Sequence, residues 1–159
     1  MEKLQFPISE NIKKLLALPP VSQIGIIVQD MDRAIRYYSE LFGLGPWRVF
    51  VPEYTDKTYR GRPAQFRIQV ALADFGSLEW EFIKVLQGPT VYEDDLGKDG
   101  EGLHHVGFLV DNIDERVDAV KKIGIDVIQS GRRPGAKFVY LDTRFIAGVT
   151  LEFIQRDHE

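Results

Sequence analysis

Four side chains able to hold a divalent ion or move a proton recur at matching places in two stretches of this chain. Gln23 opens the segment Gln23-Ile24-Gly25-Ile26-Ile27-Val28-Gln29-Asp30-Met31-Asp32. His105 opens its echo 82 positions later, His105-Val106-Gly107-Phe108-Leu109-Val110-Asp111-Asn112-Ile113-Asp114. Each copy also closes on a carboxylate inside an apolar run: Glu81 in Trp80-Glu81-Phe82-Ile83-Lys84 and Glu152 in Leu151-Glu152-Phe153-Ile154-Gln155. Imidazole and carboxylate suit zinc, manganese, cobalt, nickel or ferrous iron, and without thiolate the softer metals lose their advantage. A glutamate within an apolar strand is costly to bury unless it is paired or bound. The repeat therefore matters for chemistry, because folding both copies alike would bring Gln23, Glu81, His105 and Glu152 together.

The elements that must do this can be read along the chain. Ser9 caps a short helix to about Leu18, ended by Pro19-Pro20. A strand near Val21–Val28 leads to a helix through Phe42, capped by Asp30 or Asp32 and stopped by Gly43. A strand near Trp47–Pro52, a polar loop over 53–63 and strands near Ala64–Ala73 and Leu78–Val85 complete a first module over 21–85. Asp74-Phe75-Gly76-Ser77 is the hairpin turn between the last two. A linker over 86–102 carries a short helix near Tyr92–Leu96. The second module, 103–159, repeats the plan with a strand Leu103–Val110, a helix Ile113–Ile123 and strands near Asp126–Ser130, Lys137–Asp142 and Val149–Gln155. The expectation is α+β: two tandem βαβββ modules acting as one domain in a curled mixed sheet around a cleft, after a helical extension over residues 1–20.

Strand alternation sorts the faces. Ile24, Ile26, Val28, Leu78, Trp80, Phe82, Leu151 and Phe153 fall on a core face, and Gln23, Glu79, Glu81, His105 and Glu152 on the other. By the same parity His104 turns away from His105, toward the side of Val106 and Phe108.

Composition narrows the classes of function. The 159 residues carry 44% hydrophobic and 28% charged residues and a formal charge of −4, which argues against nucleic-acid or anionic-membrane partners. There is no cysteine, excluding disulfides, thiol nucleophiles and cysteine-ligated zinc. No apolar run approaches the roughly 20 residues of a membrane span, and a cytoplasmic address is expected.

The opening Ile24-Gly25-Ile26-Ile27-Val28, the linker Gly100-Glu101-Gly102-Leu103-His104-His105-Val106-Gly107 and the endings Glu81-Phe82-Ile83 and Glu152-Phe153-Ile154 resemble the vicinal oxygen chelate superfamily. That superfamily includes glyoxalase I, methylmalonyl-CoA epimerase, extradiol dioxygenases and bleomycin-resistance proteins. The resemblance covers about residues 21–155 and is nearest the methylmalonyl-CoA epimerase group. It implies one divalent metal held by Gln23, Glu81, His105 and Glu152, although the family's first position usually carries histidine and an amide ligates more weakly.

The same resemblance implies metal-assisted removal of a proton next to a carbonyl, with Glu152 and either Glu53 or Glu81 as bases. The expected activity is an isomerase or epimerase for a small acyl-CoA or carboxylic acid. Alternatives are a glyoxalase-type lyase, a dioxygenase, or a non-catalytic small-molecule binder of the bleomycin-resistance type. Arg60, Arg62, Arg132 and Arg133 are candidates for an acidic substrate such as a coenzyme A phosphate. Tyr54, Tyr59, Trp47 and Phe66 are candidate pocket walls, with Trp47 and Phe66 equally suited to the core. Leu15, Leu16 and Leu18 suggest a homodimer contact.

Overall fold

Helix starts and stops follow local chemistry in the computed structural model, which describes residues 4–157. Helix α1 (Glu10–Leu16) is capped by the Ser9 hydroxyl, which accepts from the Ile12 amide. Helix α2 (Met31–Phe42) is capped by Asp30, which accepts from the Arg33 amide, and ends at Gly43 with φ +67°, a left-handed conformation suited to glycine. Helix α3 (Val91–Leu96) starts at Thr90, and α4 (Ile113–Lys122) follows Asn112. Among the described residues no helix is long and apolar enough to cross a membrane.

The strands are β1 (Gln23–Ile27), β2 (Arg48–Phe50), β3 (Thr55–Tyr59), β4 (Arg62–Pro63), β5 (Arg67–Phe75), β6 (Leu78–Gln87), β7 (Gly102–Leu109), β8 (Val127–Arg133), β9 (Ala136–Leu141) and β10 (Thr150–Arg156). They form one mixed sheet in the order β2-β5-β6-β1-β7-β10-β9-β8-β3-β4. Each module contributes the same four-strand pattern. The opening strand lies parallel to the closing one, β1 on β6 and β7 on β10, and β1 and β7 join the modules antiparallel. The opening and closing strands are therefore neighbours at the centre of the sheet. That is where the repeated polar residues lie.

Two features depart from the sequence reading. Residues 53–63 are not a plain polar loop: β3 and β4 form a hairpin whose turn, Arg60-Gly61, has φ of +47° and +76°. The hairpin adds to β8, on the far edge of the other module, so residues 51–54 cross the mouth of the curled sheet. The strict alternation expected of His104 also fails. Gly25 pairs with His105 but Ile26 pairs with Leu103, leaving His104 as the extra residue of a β-bulge. The bulge turns His104 to the concave side, against Tyr92 and Tyr140.

Apolar residues collect in three cores. Val28, Met31, Ala71 and Phe82 pack beneath α2, where Trp47 stacks on Phe82 at 4.9 Å between centroids. Phe108, Ile113, Val120, Val139, Leu141 and Phe153 pack beneath α4, with Leu16 of α1 against them. Thus α1 covers part of the second module, and its Leu15 and Leu16 are half-buried rather than free. The largest core fills the concave face itself, with Phe66, Ile68, Val70, Leu72, Ile83, Tyr92, Ile128, Phe138 and Tyr140. The sequence places Gln23, Glu79, Glu81, His105 and Glu152 on this face, and most of what surrounds them is apolar. Tyr54 of the mouth-crossing segment, Phe66 just before β5 and Tyr92 of α3 close it with apolar side chains.

Candidate metal centre

Gln23, Glu81, His105 and Glu152, from the four central strands, meet in the concave face. The Nε2 of His105 is 3.2 Å from Glu81 Oε2, 3.2 Å from Glu152 Oε2 and 3.3 Å from Gln23 Oε1. All four residues are buried, His105 completely. One ring nitrogen thus faces three oxygens, and the geometry aims its proton at Gln23. Glu152 Oε2 stays buried in charge contact with His105 but lacks a hydrogen-bond donor. A buried acceptor in that state is a destabilising feature that a cation or a substrate hydrogen bond would relieve.

Each of these side chains is aimed by neighbours. The His105 ring lies over Gly25, its partner across the β1–β7 ladder. A Cβ on Gly25 would fall 1.8 Å from Cε1 of the ring, so glycine is required there. The Gln23 amide donates to Glu79 Oε1 at 2.8 Å, which turns its carbonyl oxygen toward His105. Glu79 is in turn held by Arg48 at 3.3 Å and Arg156 at 2.9 Å. Behind His105, His104 Nδ1 lies 3.2 Å from His105 Nδ1, and His104 Nε2 lies 2.9 Å from Asp95. The Tyr140 ring packs on His105 at 4.9 Å and its hydroxyl meets that of Tyr92 at 2.8 Å.

Several of these supporting residues escaped the sequence reading. Arg156 was within reach of it, since it shares a strand face with Glu152 at a spacing of four. Asp95 arrives from the linker helix α3, and no repeat signal marks it. Glu53 is exposed on the mouth-crossing segment, while its neighbour Tyr54 turns inward and lines the cleft. Of the candidate arginines, Arg133 lines the cleft and lies over the Phe50 ring at 5.9 Å. Arg60 pairs outside with Asp94 at 2.8 Å, and Tyr59 also bonds Asp94. Arg62 and Arg132 are exposed. Trp47 and Phe66 are core residues.

Comparison with known proteins decides the family. A model of the Glyoxalase/Bleomycin resistance protein/Dioxygenase superfamily matches residues 22–140. The chain belongs to this superfamily. The uncharacterized protein YqjC of Bacillus subtilis (strain 168) is 27% identical over 138 residues, covering 85% of this chain and 91% of its own. The solved structure of hypothetical protein BH1468 from Bacillus halodurans C-125 has a TM-score of 0.64 at 25% identity, covering 87% of this chain and 95% of that one. Methylmalonyl-CoA epimerase from Mycobacterium tuberculosis has a TM-score of 0.61 at 16% identity, covering 89% and 90% of the two chains. A Streptomyces coelicolor methylmalonyl-CoA epimerase in complex with 2-nitronate-propionyl-CoA scores 0.62 at 20%, covering 89% and 100%. The two epimerases show likeness of fold.

Two ligand atoms each about 2.1 Å from one ion lie about 3.0 Å apart at a right angle and about 3.4 Å apart at the tetrahedral angle. The observed 3.2–3.3 Å separations fall in that range. These spacings about His105 Nε2 and the orphaned Glu152 oxygen are compatible with a small ion at this point. Among the described residues no three or more acidic or histidine groups are arranged as a ready-made metal cage. An ion would take the place of the His105 proton.

Charge and burial set the protonation. Burial alone would lower the His105 pKa, but the close carboxylates of Glu152 and Glu81 outweigh it and raise it to about 9. Burial lowers His104 to about 4, against the opposing pull of Asp95. Burial raises the Glu152 carboxyl while His105 opposes it, so this acid lies above the ordinary carboxylate range. A stability prediction follows from His105, whose folded value is raised from an ordinary 6.5. Its contribution to the metal-free chain is complete below about pH 6.5 and is lost as pH rises through about 9. Melting temperatures of chelator-treated protein across that window should fall with pH, and His105→Ala should flatten that part of the profile.

Proposed function

We propose that this chain is a metal-dependent isomerase or epimerase that removes a proton next to the carbonyl of a small acyl-CoA or carboxylic acid substrate. The observation that carries the reading is the convergence of Glu81, Glu152 and Gln23 on one nitrogen of His105. When bound by these four, a divalent ion supplies Lewis-acid polarisation of a substrate carbonyl.

The chain's own residues do the rest. Glu152 is the base: a metal-bound glutamate can leave the ion and take a proton from a substrate held beside it. It takes the proton from the carbon beside the carbonyl, leaving the electron pair delocalised onto the carbonyl oxygen. If Glu152 returns the proton elsewhere, the product is an isomer. If Glu81 carries a proton beforehand and delivers that proton from the opposite face while Glu152 keeps the one it took, the product is the epimer. The two acids then end with their protonation exchanged. Glu53 would serve as second base only if the segment over 51–54 folded inward. Arg133 lines the cleft and supplies a cationic partner for a carboxylate or phosphate, whereas Arg156 and Lys137, which also line it, are paired with Glu79 and Asp114. Epimerases of similar fold are described in complex with methylmalonyl-CoA and 2-nitronate-propionyl-CoA, which supports an acyl-CoA.

The cleft holds about 50 Å³, enough for an ion with a few waters but too little for an acyl group. Substrate binding therefore requires the cleft to widen around residues that line it, such as Phe50, Tyr54 and Arg133. The dioxygenase alternative, which calls for two histidine ligands, loses support because His104 is engaged by Asp95.

Two measurements test the reading. Uptake of zinc near neutral pH should release close to one proton, because His105 must shed its Nε2 proton. Calorimetry in buffers of different ionisation enthalpy reads this directly, and release should vanish above about pH 10. With zinc, manganese, cobalt or nickel bound, the protein in deuterium oxide should wash deuterium into the carbon beside the thioester carbonyl of methylmalonyl-CoA. Absence of exchange with every metal, across acyl-CoA thioesters and 2-oxo acids, would overturn the proposal.

A further inference from the structure

We infer that His104 and Asp95 are positioning residues that fix which nitrogen of His105 faces the cluster, and so prepare Nε2 as a ligand. The inference deepens the proposed function and rests on it for its consequence. The two imidazoles approach through like atoms, Nδ1 to Nδ1 at 3.2 Å. Two N–H groups cannot point at each other over that distance, so one Nδ1 is bare. The far end decides which. A carboxylate only accepts, so the 2.9 Å contact between Asp95 and His104 Nε2 places a proton on that nitrogen.

A second proton on His104 would make it a cation near Arg144, whose guanidinium already faces Asp95 at 3.6 Å and reaches the His104 carbonyl at 3.5 Å. His105 instead lies between two carboxylates, Glu81 and Glu152. His104 is therefore the neutral ring with the bare Nδ1, and it accepts the Nδ1–H of His105. The β-bulge makes this possible, because regular alternation would have sent the ring to the opposite face. A histidine that donates one ring N–H to a fixed acceptor has its other nitrogen's lone pair directed at the metal, and loss of such a partner typically lowers metal affinity about 10–100-fold.

The chain has three histidines, His104, His105 and His158, so histidine-selective nitrogen-15 labelling gives an assignable imidazole spectrum. With and without zinc, His104 should show a protonated Nε2 and a bare Nδ1, and His105 a protonated Nδ1. His104→Leu should bind zinc about 10–100-fold more weakly. His104→Asn should recover most of that loss, since its amide oxygen occupies the place of Nδ1. Asp95→Ala should weaken zinc binding less and give a mixed His104 tautomer.

A folded His104→Leu variant that binds zinc as tightly as wild type overturns the inference, as does a proton found on His104 Nδ1. If His104→Leu does not fold, Asp95→Ala and the wild-type spectrum decide. A wild-type chain that takes up no zinc, manganese, cobalt or nickel overturns the proposed function alone. The metal-free spectrum then decides the inference.

Discussion

Glu152→Gln is expected to fold and to exchange substrate protons about 10²–10⁴-fold more slowly than wild type when both are saturated with metal, the usual contribution of a positioned general base. Glutamine keeps the shape of the side chain and one oxygen for the ion but has no proton affinity to offer the substrate carbon. Glu81→Gln is the informative comparison. It removes the same charge from the same nitrogen, at the same 3.2 Å, yet leaves the more deeply buried acid in place. At saturating metal it should therefore retain more exchange than Glu152→Gln, while any epimerisation that needs the second face is lost. Breaking a buried ion pair commonly costs about 3–5 kcal/mol because a charge is left uncompensated. Here His105 keeps one carboxylate in either variant, so the loss in stability should be smaller. The His105 pKa should drop below about 9 in both, and the proton released on zinc uptake near neutrality should shrink with it. Equal exchange rates for Glu152→Gln and wild type would remove Glu152 from the role of base.

The candidate ligands were legible because each module writes its polar positions into otherwise apolar strands. Gln23 and Glu81 break the first module's opening and closing strands, His105 and Glu152 the second's. Parallel pairing of each opening strand with its closing strand then makes them neighbours. Period-two reasoning also placed Val28, Phe82 and Phe153 correctly beneath the helices. It failed at His104, where one inserted residue reverses the face. Nothing in Leu103-His104-His105-Val106 distinguishes a bulge from a regular strand. It failed too over 53–63, where Arg60-Gly61 makes a tight turn and the strands flanking it are short and polar. Their stability comes from joining the β8 edge, a long-range pairing that no local pattern announces. Asp95 was hidden for the same reason, because its importance arises only when α3 lies against β7.

Gly25→Ala should damage the site more than any other single methyl group added to this chain. The new Cβ would sit 1.8 Å from Cε1, 2.2 Å from Nε2 and 2.4 Å from Nδ1 of His105, distances no van der Waals adjustment absorbs. The ring cannot retreat freely, since Tyr140 packs on it and His104 holds its Nδ1. Either the ring leaves the cluster or β1 and β7 separate. Overpacking of this kind typically costs about 1–3 kcal/mol and sometimes more. Displacing a catalytic group by about 1 Å can cost about 10²-fold in rate, so metal affinity and exchange should fall together. The explanation is tested by a double-mutant cycle. In a His105→Ala background the ring is gone and the space over Gly25 is open, so Gly25→Ala should cost little stability there. Strong coupling between the two sites would show that glycine is present to seat the imidazole. If Gly25→Ala destabilises equally in both backgrounds, the requirement for glycine lies in the β1 backbone and the ring has no part in it.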